Sequence, residues 1–212
     1  MKLDYKIINH AFGLVSKFSK LYNIDESHAM RHSLDVFHNA VAIYNSEIYE
    51  SPFLKYQQKE IFCSAILHDM CDKKYVDSSV VLKQINSYMS DYLNALEINT
   101  MNKIISTMSY SYVKANGFPD LYNFNLAYHI VREADLLAAY DIERCVIYQT
   151  TQKGYTYYDS LDKVAGLFHT RTFQYINDDL FKTTYSKQKA AQLHENALER
   201  IQVLTQTKHL CT

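Results

Sequence analysis

The sequence predicts an all-α protein, and three observations lead there. The 212 residues include only four glycines and two prolines. That is about 3% of the chain against a usual ~12%, too few for the many tight turns of a β-sandwich or barrel. Apolar residues recur at intervals of three and four over several long segments. No stretch alternates apolar and polar residues convincingly over more than five positions, as a half-buried strand requires.

A first helix spans Tyr5 to Leu21. Asn23 to Ser27 (NIDES) offers a break and a cap for a second helix. There Met30, Leu34, Phe37, Val41 and Tyr44 form an apolar stripe at 4, 3, 4, 3 spacing. Ser51-Pro52 closes that segment and can open the next. A third helix carries Ile61, Ala65 and Ile66 toward His68. Asp77-Ser78 caps a fourth, with Val81, Ile85 and Met89, and Asn99-Thr100 is the expected cap of a fifth, through Ile104, Ile105 and Met108. Ala115 to Pro119 (ANGFP) is the clearest loop. Phe124 to Ala139 and Ile142 to Thr150 read as helices, Gly154 to Ser160 as a loop with a tyrosine cluster, and Leu161 to Phe168 as helix again. A last long helix fits Lys187 to Thr205, with Ala190, Leu193, Ala197, Ile201 and Leu204 on one core-facing stripe.

At roughly 150 residues per domain, residues 1–212 are expected to form a single domain. The net charge of −1 and pI of about 6.7 give no nucleic-acid footprint. Cys63, Cys71, Cys145 and Cys211 are scattered, which implies reduced thiols rather than a disulfide framework or a zinc ribbon. The N-terminal MKLDYKIINHAFG lacks a signal-peptide apolar core, and no apolar run approaches the ~18 residues that span a bilayer. A cytoplasmic protein without membrane association is expected, and assembly into a homo-oligomer is left open.

The sharpest chemical feature is His68-Asp69 at the end of an apolar run, Phe62 to Leu67. The dipeptide alone means little: nine histidines and 14 aspartates in this length supply roughly 0.6 such pairs by chance. Its position matters more, because the apolar run drives the helix inward and a buried aspartate is costly unless paired or metal-bound. Adjacent helical residues point about 100° apart, so both could ligate only an ion seated between this helix and others. His32, within SHAMRHSLDVFHNA, and Asp135, embedded in IVREADLLAAYD, are the candidates to complete such a shell. Two imidazoles and two carboxylates suit one divalent ion: Mn²⁺, Co²⁺, Ni²⁺, Fe²⁺ or Mg²⁺.

Four segments in order carry a family resemblance. They are Ser27-His28-Ala29-Met30-Arg31-His32-Ser33-Leu34-Asp35-Val36, Ala65-Ile66-Leu67-His68-Asp69-Met70-Cys71-Asp72-Lys73-Lys74, Ser109-Tyr110-Ser111, and Glu133-Ala134-Asp135-Leu136-Leu137-Ala138-Ala139. Together they resemble the HD-domain metal-dependent phosphohydrolases, in the small single-domain branch with nucleotide-hydrolysing members. Tyr185 to Val203 also looks like that family's closing helix, so the resemblance implies a single HD domain with its core at about 10–205. The resemblance implies an all-α HD-domain bundle with an inter-helix site whose metal ligands are His32, His68, Asp69 and Asp135. The chain departs from the family pattern at Ala29, usually Asp, at Asp35, usually Arg, and at Leu137 and Ala138. These changes spare the four ligands but bear on phosphate contacts.

A divalent ion there lowers the pKa of water and polarises a phosphoryl oxygen. Asp72 is expected to orient or deprotonate the water if the helix continues through it. Lys73 and Lys74, with Arg31 and His28, can neutralise phosphate charge, while Arg31 can instead pair with Glu26 or Asp35. His38 and His129 read as hydrogen-bonded interior residues, and His10, His194 and His209 as surface ones. The expected activity is hydrolysis of a nucleotide or related small phosphate ester, including pyrophosphate release from a nucleoside triphosphate. The alternative is a catalytically silent nucleotide-binding or regulatory protein that keeps the metal pocket. A third reading is a helical interaction module whose histidines and aspartates satisfy one another.

Overall fold

The computed structural model describes residues 5–208, with no strand among them. His209, Cys211 and the first four residues lie outside the described part. The helices are α1 (Tyr5–Leu21), α2 (Met30–Glu47), α3 (Gln58–Leu67), α4 (Ser78–Met89), α5 (Ala95–Thr107), α6 (Tyr110–Asn116), α7 (Asn125–Ala138), α8 (Ile142–Thr151), α9 (Tyr157–Leu167), α10 (Gln174–Asn177) and α11 (Thr184–Lys208). Tight 3₁₀ turns lie at Pro52–Tyr56, His68–Cys71 and Tyr122–Phe124, and a π-helical turn at Phe168–Thr172. Among the described residues no helix is long and apolar enough to cross a membrane, and Cys63, Cys71 and Cys145 are free thiols.

The architecture is organised around α3. Every residue from Glu60 to Leu67 is buried, as expected of a helix that is apolar on all sides. Ile61, Phe62 and Ala65 join one apolar cluster with α2, α7 and α11. Cys63, Ile66 and Leu67 join a second, with α1, α4 and α5. The helix therefore separates two cores and belongs to both.

On α2 the buried face is His32, Val36, Ala40 and Ile43, with Ser33 and Tyr44. The expected stripe is displaced from it: Leu34 is exposed, Met30, Phe37 and Val41 are half-buried, and only Tyr44 is buried. Small side chains at Ser33 and Ala40 face the interior, where α2 packs on α3 and α7. Phe37 instead packs sideways against Phe12 of α1 and Phe62 of α3. A stripe chosen by side-chain size missed the face on which helix approach favours small residues.

Local chemistry sets the ends. Asp77 accepts hydrogen bonds from the Ser79 and Val80 N–H groups and caps α4 as expected. The α5 start differs, because Asn99 and Thr100 lie inside the helix. Its cap is Asn94, whose side chain accepts from the Leu96 and Glu97 N–H groups while Glu97 Oε2 accepts from Asn94 N at 2.7 Å. This reciprocal capping box satisfies orphan donors on both sides. Asn94→Ala is expected to cost about 1 kcal/mol, read as a lowered midpoint in urea with an unchanged slope. The NIDES segment also caps differently: Asp25 holds the turn through Ser27 N, and Ala29 begins α2 without a side-chain cap. The expected loop at Ala115 to Pro119 starts later, since α6, capped by Ser109, runs to Asn116 before Gly117 turns out at φ 76°. Thr156 caps α9 early, so Tyr157 and Tyr158 are helical rather than part of a loop.

The junction of α7 with the start of α11 is polar and buried. Glu133 Oε1 accepts from Lys182 N at 2.7 Å, and Oε2 accepts from Thr183 N at 3.1 Å and from Thr183 Oγ1 at 2.7 Å. Arg132, also buried, donates to the Leu180 carbonyl and lies 3.4 Å from Glu133 Oε1. His129 Nδ1 faces the same guanidinium at 3.3 Å. Burial, then Arg132 and Lys182, push His129 down to about 4. The sign follows: the native state excludes a proton that the unfolded chain binds below about 6.5. Stability should be full above pH 6.5 and fall by roughly 3 kcal/mol as the pH drops from 6.5 to 4. Denaturation midpoints between pH 7 and 4 check this, and His129→Gln should flatten the slope.

Candidate metal centre

Three elements bring His32, His68 and Asp135 to one point, with Asp69 beside the two imidazoles. His32 comes from the first turn of α2, His68 and Asp69 from the 3₁₀ turn that ends α3, and Asp135 from α7. One nitrogen from each of His32 and His68 and one oxygen of Asp135 lie within 4.8 Å of one another. His32 Nε2 is 3.3 Å from His68 Nε2, 3.2 Å from Asp69 Oδ2 and 3.3 Å from Asp135 Oδ1. His68 Nε2 is 3.3 Å from Asp69 Oδ1 and 3.6 Å from Asp135 Oδ1.

This donor set fits a divalent cation better than a closed hydrogen-bond network. A ring nitrogen carries one proton or one lone pair, yet each Nε2 faces three polar atoms. His32 Nδ1 is buried with no hydrogen-bond partner. His68 Nδ1 lies 2.9 Å from the Ala65 carbonyl. A proton placed there leaves Nε2 free to act as a ligand, an orientation that metal-binding histidines commonly use. The same contact occupies a carbonyl at the end of α3.

The local charges are mutually supporting. Burial resists protonation of His68, but Asp69 and Asp135 outweigh it and hold the imidazole up at about 9. Burial likewise resists ionisation of Asp69, but His68 and His28 hold its carboxyl well below the ordinary range. Asp135 is held down in the same way, against burial, by His32 and His68.

The structure brings together some of the other expected site residues and separates others. His28 packs beside His32, ring centroids 6.2 Å apart, with Nδ1 2.6 Å from Ser27 Oγ and 3.1 Å from the Tyr75 hydroxyl. Burial pushes its pKa down to about 4. It is therefore neutral near pH 7 and offers hydrogen bonding, not the positive charge expected of it. Arg31 is exposed and pairs with Asp35 at 4.0 Å and Asp141 at 3.5 Å. The helix does not continue through Asp72, whose backbone is extended after the 3₁₀ turn. Asp72 Oδ1 accepts from Lys74 N at 2.9 Å and Oδ2 pairs with Lys74 Nζ at 3.1 Å. The shared helical face with Asp69 is thus lost, and Lys73 is simply exposed. His38 is exposed rather than interior, and His194 is half-buried against Phe173 rather than free at the surface.

Two residues of α8 reach the same region without having been singled out from the sequence. Arg144 Nη1 donates to the Ser27 carbonyl at 3.1 Å, while its Nε is buried without a partner. With Glu26, Arg31, His32, Asp35, Asp141 and Ile147 it lines a shallow surface depression. Tyr148 packs edge-on to His28 at 5.4 Å. The available signal was the 141/144/148 spacing, one face of a helix. Comparison with family models, curated proteins and solved structures finds no match to this chain.

Proposed function

We propose that this chain is an HD-domain metal-dependent phosphohydrolase acting on a nucleotide or related small phosphate ester. The observation that carries the reading is the meeting of His32, His68 and Asp135, with Asp69 beside the two imidazoles, next to a depression lined by Arg31 and Arg144 as well as by Glu26, Asp35 and Asp141. When bound, a divalent ion supplies Lewis acidity toward a phosphoryl oxygen and toward water. The two histidines and two aspartates would hold it, with His68 oriented by the Ala65 carbonyl. Arg144 and Arg31 line the same depression as His32 and offer positive charge there, among Glu26, Asp35 and Asp141. Neutral His28, fixed through Nδ1 by Ser27 and Tyr75, can hydrogen-bond a substrate oxygen. Lys74 is tied to Asp72, and their pairing must loosen before either contacts substrate.

A second reading keeps the metal and drops the turnover: a nucleotide-binding or regulatory protein. The mutual pairing of Asp72 with Lys74, and of Arg31 with Asp35 and Asp141, favours it, because groups suited to phosphate chemistry are engaged with one another. A phosphate- and pyrophosphate-release screen over nucleotides with Mn²⁺, Co²⁺, Ni²⁺, Fe²⁺ and Mg²⁺ decides between the readings. Metal-dependent release is expected. Metal and nucleotide binding without release selects the second reading, and absence of any retained ion overturns both.

A further inference from the structure

The inner face of α8 is not accounted for by the metal centre. Asp141, Arg144 and Tyr148 follow one another at helical spacing along it. Arg144 is anchored by one arm to the Ser27 carbonyl and carries a buried, unpartnered Nε in the depression that His32 lines. A guanidinium presents five donors, so the anchored residue retains capacity for an anion. One turn on, Tyr148 rests on the edge of His28, which itself packs on His32. Lys74 and Lys153 come from separate segments and place their ammonium groups 5.7 and 5.6 Å from the centre of the Tyr148 ring. Both lysines are exposed. Contacts of that length are weak and readily exchanged for a stacked planar ligand.

We propose that α8 is the recognition wall of the site, with Arg144 binding a phosphate group and Tyr148 stacking on the planar ring of a phosphorylated ligand, flanked by Lys74 and Lys153. This inference rests on the phosphohydrolase reading and deepens it: the ligand carries an aromatic base as well as phosphate. His28 contacts both Tyr148, at 5.4 Å, and His32, at 6.2 Å, and so joins the stacking residue to the metal ligands. The lysines displaced from the ring face remain beside the incoming negative charge.

The test is calorimetric titration of the Mn²⁺-loaded full chain with non-hydrolysable triphosphate analogues of the four common ribonucleosides and with inorganic tripolyphosphate. At least one analogue should bind more tightly than tripolyphosphate. Tyr148→Ala should weaken that analogue roughly tenfold or more, in line with the loss of one stacked base. It should leave tripolyphosphate affinity within about twofold, the change expected where no stacked base is lost. Tyr148→Phe should behave as the parent. Arg144→Met should weaken analogue and tripolyphosphate alike, by roughly tenfold, and Arg144→Lys should recover part of the loss. An unchanged Tyr148→Ala affinity, or no analogue better than tripolyphosphate, overturns the proposal while Mn²⁺ uptake keeps the metal reading intact. Failure of Mn²⁺ uptake in the parent protein overturns both.

Discussion

On the phosphohydrolase reading, Asp69→Ala should abolish divalent-ion binding and phosphate release together. The carboxylate lies 3.2 Å from His32 Nε2 and 3.3 Å from His68 Nε2, so its loss opens the centre from the α3 side. Turnover should fall by more than the roughly 10–100-fold that loss of an outer supporting contact costs. A binding signature separates this from general damage. At about 100 times the dissociation constant, a ligand of the folded state adds about 2.7 kcal/mol. For a chain of this size that raises Tm by roughly 5–10 °C. The parent protein should show this shift with Mn²⁺ and the variant should not, while both melt cooperatively without metal. Elemental analysis of the purified variant completes the test, and a retained ion would mean that Asp69 is not a ligand.

Glu133→Ala should produce the largest stability loss of any single change discussed. The carboxylate is fully enclosed and receives Lys182 N, Thr183 N and Thr183 Oγ1, with Arg132 beside it. Its removal leaves the Lys182 and Thr183 N–H groups unpaired and a buried guanidinium without its counter-charge, while the Thr183 hydroxyl keeps Ser186 Oγ at 2.7 Å. Breaking such a pair from one side costs about 3–5 kcal/mol, or roughly 6–20 °C in Tm. Glu133→Gln should fall between, keeping an acceptor but not the charge. Thermal melts and urea titrations measure both, and a loss below about 1 kcal/mol for Glu133→Ala would show that water replaces the carboxylate.

Both residues bear on what a one-dimensional reading can reach. The fold class was legible because scarce glycine and proline and three-to-four-residue periodicity are local properties. The inward drive of α3 was legible for the same reason, since residues 61–67 are apolar apart from Ser64. His68, Asp69 and Asp135 were candidates because ionisable groups embedded in apolar runs demand a partner, whereas His32, between Arg31 and Ser33, has no such local signal and its ligand role came from the family resemblance. Glu133 sits in the same EAD segment as Asp135 but turns to the opposite task, holding residues 182–183 at the entry to α11. Nothing in its neighbours distinguishes a strut from a ligand.

The sequence by itself therefore determined the helical class, most helix positions and the residue types able to hold a cation. Only the tertiary structure decided that His32 and Asp135, 103 positions apart, meet within 3.3 Å. It also decided that His28 is buried and neutral, that Asp72 is turned to Lys74, and that α8 lies over the site. The reason is physical. Helix periodicity and capping act within a few residues of chain, whereas burial, charge pairing and the approach of small side chains depend on which distant surface arrives opposite. On α2 that difference rotated the buried face from the large apolar stripe to the one bearing His32, Val36 and Ala40.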